Sequence, residues 1–168
     1  QITPFLKRFS ILQQSSILLI FQGMDASGKD GSIRTLQNHL HIHNLRLARF
    51  IQPSTLEAGH DFLWRVHQVT PAIGEMVLFN RSHYEEALVQ RVRHGASIHS
   101  FRKIVRHIVH FENLLVDSGT TVLKFYLNIS KQTQFERFKS RFNDPSRRWK
   151  LTDLDLQDRQ HWDFFIQT

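Results

Sequence analysis

The sequence predicts an α/β fold, in which a parallel sheet is covered by helices on both faces. Two observations predict this class. Short, continuous apolar runs alternate with longer segments of helical periodicity, and glycine, proline or serine separates most of them. Continuously apolar strands are typical of parallel sheets, because helices bury both of their faces. The chain has 168 residues and shows no repeat or linker, so we expect a single domain over 1–168.

The first half of the chain contains three of the predicted strands. The apolar run 17–21 follows two serines and ends before Gly23, as a short buried strand would. Later in the chain, Ile33, Leu36 and Leu40 recur at the spacing of one helix face. In chain order, this half is predicted to contain a strand at 17–21, a helix at about 29–40, a strand at 45–51, a short helix at 62–66, a strand at 76–79 and a helix at 84–93.

The second half opens with the longest predicted helix, whose apolar residues from Phe101 to Leu115 recur at helical spacing until Gly119. Ser130 and Asp153 each have a side chain that can cap the start of a following helix. Phenylalanines at helical spacing are assigned to the core. This half is predicted to contain a helix from 101 to Gly119, a strand at 122–129, a helix after Ser130 that breaks at 144–145, and a last helix.

The composition excludes several classes of protein. Because there is no cysteine, disulfide scaffolds and Cys-ligated zinc or iron–sulfur sites are excluded. The longest apolar run has five residues, whereas a bilayer-spanning helix needs about 20. No secretory signal pattern is visible, so we expect a cytoplasmic location. The first residue is Gln1 rather than Met, so the chain is expected to begin inside a longer one.

The charge balance is strongly positive. Lys and Arg number 22 against 15 Asp and Glu, which gives a net charge of +7. Such an excess indicates either a solvated basic surface or a polyanionic partner, which could be nucleic acid, anionic lipid or a phosphate-rich substrate. Residues 131–150 hold seven of the Lys and Arg residues against two acids. This concentration is compatible with a site, but charge alone does not decide between the two interpretations.

The sharpest motif is G-x-x-x-x-G-K, which runs from Gly23 to Lys29 between an apolar strand and a helix. Glycines let backbone N–H groups turn inward onto phosphate oxygens, and the start of the following helix adds partial positive charge. Lys29 can reach a terminal phosphate. The motif therefore predicts a nucleotide or polyphosphate loop rather than an ordinary glycine turn. Its expected phosphate-binding residues are Gly23, Ala26, Ser27, Gly28, Asp30 and Gly31.

Two acids in this loop indicate a cation. Asp25 would repel a phosphate unless a cation lay between them, so we expect it to face magnesium or a reacting oxygen. Asp30 stands where the usual loop has Ser or Thr, whose hydroxyl binds magnesium. Two interpretations of Asp30 stay open: a metal role, or an acid that complements the helix dipole.

A polar segment follows the strand predicted at 76–79. Phosphate-loop enzymes usually carry a metal-binding carboxylate at such a strand end. Here Asn80 could bind a metal-bound water, and Glu85 or Glu86 could supply the missing charge. Arg81 is positioned to contact a phosphate with two N–H groups. A solvated helix start is the alternative. We assign Asn80, His83, Tyr84 and Glu85 to the nucleotide or acceptor side.

The basic block 131–150 is expected to form a lid over about 137–155. Arg137 and Arg141 share one helix face, and further cations follow Asp144-Pro145 in a loop. A lid here would close cations over the transferring phosphates and expel water. Plain surface charge is the alternative. The cations expected to act are Arg141, Arg147, Arg148 and Lys150.

Together these motifs resemble the polyphosphate kinase 2 family over about 15–165. The loop 23–31, with its unusual Asp after Lys, is similar to that family's Walker A motif. Segment 80–85 is similar to its Walker B motif, which normally reads Asp-Arg-Ser and an aromatic residue, so Asn80 is a departure. The remaining segments of the resemblance are 60–65, 144–145, 148–150, 155–156 and 162–163.

The resemblance implies phosphoryl transfer between inorganic polyphosphate and a nucleoside mono- or diphosphate of adenine or guanine. Mg²⁺ would be the cofactor, with Mn²⁺ as a substitute. A three-layer phosphate-loop kinase fold like that of thymidylate kinase is implied, as is a homo-oligomer, either a dimer or a tetramer. No membrane or nucleic-acid partner is expected. Family members normally continue with C-terminal helices, so we expect both termini of this chain to be incomplete.

The resemblance also implies roles for individual residues. Lys29 would stabilise the transferring phosphoryl group, and Asp25 would hold the metal or orient the acceptor phosphate. Arg81 would bind phosphate near the centre. The four lid cations would act on the polymer or on the transition state.

Two other functions stay open. An ATP-dependent nucleoside monophosphate kinase would want Ser or Thr after Lys29 and a carboxylate at position 80, and the sequence has neither. A non-catalytic nucleic-acid-binding module would use the basic block, but it leaves the phosphate loop and Asp25 unexplained.

Overall fold

The computed structural model describes residues 15–40 and 44–168, and the other residues of the predicted domain, 1–14 and 41–43, lie outside it. Its strands are β1 (Ser16–Gln22), β2 (Leu45–Arg49), β3 (Met76–Asn80) and β4 (Thr120–Tyr126). All pairings are parallel, and the strand order is β2-β3-β1-β4. The predicted α/β class is therefore confirmed.

Helices fill the connections between the strands. Several begin with a side chain that accepts a hydrogen bond from the first turn, as Ser130 does from the Thr133 N–H. The helices are α1 (Lys29–His39), α2 (Thr55–Ala58), α3 (Trp64–His67), α4 (Tyr84–Leu88), α5 (Ile98–Asp117), α6 (Lys131–Asn143), α7 (Asp153–Gln160) and α8 (Trp162–Gln167), with a π-helical turn at Val89–Arg93 and a 3₁₀ turn at Arg148–Lys150.

Two apolar layers sandwich the sheet, because alternate residues of a strand point to opposite faces. In β1, Leu18 and Ile20 pack into one layer with Phe111 of α5. Leu19 belongs to the other layer, together with Ile33 of α1. Strand β1 is thus buried on both sides, which explains its unbroken apolar sequence.

The bounds of β4 and the cap of α7 differ from the prediction. Strand β4 begins at Thr120 rather than 122 and ends at Tyr126, since its register with β1 covers those residues. Thr152, not Asp153, caps the helix α7. The Thr152 hydroxyl accepts from the Asp155 N–H, and the Asp155 carboxylate accepts from the Thr152 N–H, which is a capping box.

Two predicted helices also differ in the structure, and one helix is additional. The segment predicted as one last helix is divided at His161 into α7 and α8. The helix predicted over 84–93 changes to π geometry at Val89. A short helix, α2, was not predicted, although Ser54 and Glu57 form a capping box that is readable in the sequence.

The assignment of helical phenylalanines to the core is wrong for two residues of α6. Phe135 and Phe142 are exposed. Arginine guanidinium groups cover their rings: Arg159 lies 5.3 Å from the Phe135 centroid and Arg148 lies 5.1 Å from that of Phe142. Cations stack on aromatic faces even at exposed sites, so helical spacing alone did not distinguish these residues from core residues.

The helices within residues 15–40 and 44–168 differ in length and composition. None of them combines the length and the apolar composition that a bilayer crossing requires.

The burial of β1 leads to the first prediction. Leu18 is fully buried, whereas Leu123 of β4 is 45% exposed. Replacing Leu18 by Ala should lower the free energy of unfolding by about 3 kcal/mol, because it leaves a cavity in the core. The matched control, Leu123→Ala, should cost less than about 1 kcal/mol. Urea denaturation measures both, and equal losses would contradict the layer assignment.

Candidate functional site

The candidate site lies where β1 and β3 end. The two strands are neighbours in the sheet, and their register pairs Phe21 with Asn80. Because the strands are parallel, the segments that follow them leave the sheet at the same edge. The phosphate loop after β1 and the polar segment after β3 therefore lie side by side, as the motif analysis requires.

The loop backbone depends on glycine at its first position. A Cβ on Gly23 would lie 2.8 Å from the carbonyl oxygen of Leu127. Gly28, at the start of α1, has a φ of +106° that favours glycine. Ala26 has a φ of +62°, which costs a residue with a side chain about 1 kcal/mol or more. The loop thus holds a shape that its own sequence only partly favours.

Lys29 is buried under the loop. Its Nζ donates to the carbonyl oxygens of Gly23 and Met24, at 2.6 Å and 3.0 Å. Burial lowers the pKa of Lys29, although the negative charge of Asp25 opposes this effect. The ammonium group is therefore held at the loop by protein carbonyls that a phosphate oxygen can replace.

Arg81 connects the two segments. This residue also has a positive φ, of +62°, and its Nη2 donates to the Asp25 carboxylate at 2.5 Å. Its Nη1 lies 3.5 Å from Glu85, which also accepts from Gln22 Nε2 at 2.6 Å. Burial opposes ionisation of Asp25, but Arg81 and Lys29 outweigh it, so the pKa of Asp25 lies below its usual value. The guanidinium group thus separates Glu85 from Asp25.

A second carboxylate reaches Asp25 from α7. Burial and the negative charge of Asp25 raise the pKa of Asp155, although hydrogen bonds from Thr152 oppose the shift. Two carboxyl groups that repel each other are a donor set suited to a divalent cation. Within residues 15–40 and 44–168, no three His, Asp or Glu side chains are grouped as a metal site would need. A cation here would therefore take its remaining ligands from phosphate and water.

The side chains of Asp30 and Asn80 contact each other. Asn80 Nδ2 donates to the Asp30 carboxylate at 2.6 Å. The Nζ of Lys150, from the predicted lid, lies 3.8 Å from the same carboxylate. Asp30 also stands in the first turn of α1, so it complements the helix dipole as one interpretation expected.

The other predicted lid cations do not reach the loop in this structure. Arg141 lies over Phe138, and Arg147 pairs with Asp144. Arg148 donates to the carbonyl oxygen of Phe142. Of the four cations assigned to the lid, Lys150 is therefore the one that contacts the loop segment.

Two residues of α6 that were not assigned to the site do contact the loop. Gln134 Nε2 donates to the carbonyl oxygen of Asp25 at 3.0 Å, and Arg137 Nη1 donates to that of Ala26 at 2.7 Å. Arg137 was counted only as part of the basic block. Gln134 gave no sequence signal, apart from lying one helical turn before Arg137.

His83, which was assigned to the acceptor side, is buried in the core instead. Its side chain is buried against Phe79 and Phe111, and its Nε2 lies 3.3 Å from Glu112 Oε1. The Tyr84 hydroxyl donates to the same carboxylate at 2.9 Å. Through Glu112, both side chains therefore anchor the segment after Arg81 to helix α5.

These features define a phosphate-loop α/β protein with paired cations and carboxylates at one sheet edge. The family model described as Polyphosphate kinase 2 (PPK2) matches residues 5–168. An AMP/ADP-polyphosphate phosphotransferase of Meiothermus ruber is 47% identical over 150 residues, which cover 89% of this chain and 56% of that protein. An ADP-polyphosphate phosphotransferase of Rhodopseudomonas palustris is 38% identical, with coverage of 95% and 62%.

A solved structure agrees with these relatives. The crystal structure of Polyphosphate Kinase 2 from Arthrobacter aurescens TC1 matches with a TM-score of 0.87 and 34% identity, covering 99% of this chain and 62% of that one. The chain belongs to the polyphosphate kinase 2 family. It spans between half and two thirds of the length of these relatives.

The contacts of Glu112 with His83, Lys124 and Tyr84 lead to the second prediction. Burial favours the neutral form of Glu112, but bonds from His83, Lys124 and Tyr84 lower its pKa from 4.5 to about 2. The carboxylate therefore stabilises the fold fully above about pH 4.5, and this contribution is lost as the pH falls towards 2. Replacing Glu112 by Gln should cost about 2 kcal/mol of unfolding free energy at neutral pH, and less at pH 3.

Urea denaturation at several pH values measures this difference between wild type and variant. The matched control is Glu136→Gln, which removes an exposed carboxylate from α6 and should change the unfolding free energy by less than about 0.5 kcal/mol. A Glu112→Gln cost that stays constant from pH 7 to pH 3 would contradict the depressed pKa.

Proposed function

We propose that this chain transfers a phosphoryl group between inorganic polyphosphate and a nucleoside mono- or diphosphate. The observation that carries the proposal is the position of the Lys29 ammonium group on the carbonyls of the phosphate loop, next to the ion pair of Arg81 with the Asp25 carboxylate. Both relatives described above are named for polyphosphate and an adenine nucleotide. Such a site has little covalent chemistry to perform, so positioning and charge stabilisation supply the rate.

The loop and Lys29 bind the transferring phosphates. Backbone N–H groups of the loop and the start of α1 donate to phosphate oxygens. Lys29 exchanges its bonds to the Gly23 and Met24 carbonyls for a bond to the phosphoryl group. Because the ammonium group is already buried and in place, little reorganisation is needed when charge develops there.

A divalent cation, Mg²⁺ or Mn²⁺, fits the paired carboxylates of Asp25 and Asp155. Asp25 and Asp155 would hold this cation, which would supply positive charge that offsets the charge of the phosphates. In the proposal, the Arg81 guanidinium group binds a phosphate with two N–H groups. Glu85 keeps the guanidinium oriented from its other side.

The lid supplies the remaining positive charge. In the proposal, Arg141, Arg147 and Arg148 bind the polyphosphate chain when the segment 137–155 closes, and Lys150 bridges from the lid to Asp30. Closure also excludes water, which would otherwise accept the phosphoryl group. Asn80 and Tyr84 are proposed to face the acceptor. A homo-oligomer, dimer or tetramer, and the cytoplasmic location stay predictions.

The third prediction concerns Lys29. Full-length protein with AMP, ADP or GDP, magnesium and polyphosphate should phosphorylate the nucleotide, and Lys29→Ala should lower turnover by at least about 10²-fold, because a preorganised charge is lost. The matched control Lys103→Ala removes an exposed lysine from α5 and should keep the wild-type rate. A Lys29→Ala turnover near that of wild type would contradict the proposed contact of Lys29 with the transferring phosphoryl group.

The same assay separates the alternatives. Transfer from ATP but not from polyphosphate would favour the ATP-dependent nucleoside monophosphate kinase and contradict our proposal. Absence of transfer with either donor, together with tight and salt-sensitive binding to DNA or RNA, would favour the nucleic-acid-binding module.

The fourth prediction ranks the two loop acids. Asp25→Asn should reduce turnover more than Asp30→Asn does, because Asp25 contacts Arg81 directly and faces Asp155, whereas Asp30 is half exposed. Turnover with polyphosphate at saturating magnesium measures both variants. The opposite order would exchange their proposed roles.

A further inference from the structure

The phosphate loop is held from outside by two side chains of α6. Gln134 and Arg137 donate to two successive loop carbonyls, those of Asp25 and Ala26. We propose that Gln134 and Arg137 are positioning residues, which keep the loop in the shape that binds phosphate. The kinetic part of this inference rests on the proposed function, whereas its binding part does not.

The loop contains a turn whose geometry needs such support. The Ser27 N–H donates to the Met24 carbonyl at 3.0 Å, which closes a turn over Met24, Asp25, Ala26 and Ser27. A positive φ at the third residue alone, here Ala26, is the mark of a type II turn. Glycine is preferred at that position, because a side chain there costs about 1–2 kcal/mol. With alanine, the alternative type I turn competes.

The two turn types differ by a flip of their central peptide, the one that joins Asp25 and Ala26. Gln134 binds the carbonyl oxygen of that peptide. Because C=O and N–H of a trans peptide point in opposite directions, the Ala26 N–H then points away from α6 and is available to an anion. Without Gln134, the peptide can flip and withdraw this donor. Arg137 fixes the next peptide in the same way, through the Ala26 carbonyl.

Gln134 is itself held in one orientation. Its side chain is 1% exposed, and its Oε1 accepts from Arg159 Nη1 of α7 at 3.1 Å. Arg159 is fixed in turn by the Lys131 carbonyl oxygen at 2.7 Å. The amide nitrogen of Gln134 must therefore face the loop, since its oxygen is already used. A buried glutamine with both ends bonded to fixed partners is well suited to positioning a backbone.

The test uses Gln134→Met, which keeps the length of the side chain and removes its donor. The affinity for magnesium tripolyphosphate, measured by calorimetry, should fall about tenfold, which corresponds to the strain of a positive φ at alanine. Turnover should fall by up to about 10²-fold, because reacting atoms are misplaced, while the melting temperature stays within a few degrees of wild type. The control Gln132→Met, on an exposed turn of α6, should keep wild-type affinity and turnover.

A rescue distinguishes positioning from simple packing. Ala26→Gly removes the strain of the positive φ, so the double variant with Gln134→Met should regain most of the lost affinity for tripolyphosphate. Arg137→Gln should likewise weaken binding, whereas the matched control Arg106→Gln, exposed on α5, should not. Arg137 is exposed, so this second variant provides the test even where Gln134→Met fails to fold.

Three results would overturn the inference: wild-type affinity in Gln134→Met, wild-type affinity in Arg137→Gln, or no rescue by Ala26→Gly. Tripolyphosphate binding by a wild-type protein that transfers no phosphoryl group would defeat the proposed function alone. The tripolyphosphate affinities of the variants, measured by calorimetry, would then still test whether Gln134 and Arg137 position the loop. No tripolyphosphate binding by the wild type would defeat both.

Discussion

The parallel pairing of β1 with β3 is the constraint on which the site depends. It places Phe21 opposite Asn80, so that the loop and the polar segment leave the sheet together. The contacts Arg81–Asp25 and Asn80–Asp30 each cross from one segment to the other. A register shift of one residue would turn every strand side chain to the opposite face, so the core and these contacts would be lost together.

Buried charges at the site are balanced before any substrate arrives. Lys29 is bonded to loop carbonyls, and Arg81 lies between the carboxylates of Asp25 and Glu85. An unpaired buried charge would cost several kcal/mol, so each of these cations needs a partner. Phosphate oxygens can replace these partners with little movement, which is the physical basis of a preorganised site.

Strained backbone occurs at the two places where the segments meet. Ala26 and Arg81 are the positive-φ residues other than glycine in residues 15–40 and 44–168. Each is held by contacts from a more distant helix: Ala26 by α6, and the residues after Arg81 by Glu112 of α5. The surrounding helices thus stabilise a geometry that the local sequence does not favour.

The sequence by itself determined the class of fold and the position of the phosphate loop, and it predicted Lys29, Asp25 and Arg81 as central residues. These features are local, because glycine positions, apolar runs and strand ends are contiguous in the chain. The tertiary structure decided which distant groups reach the loop. Gln134 lies 109 positions from Asp25, and only the packing of α6 against the loop brings them together. Packing likewise buried His83, brought Asp155 to Asp25 and kept Arg141 away from the loop, because no residue spacing encodes such contacts.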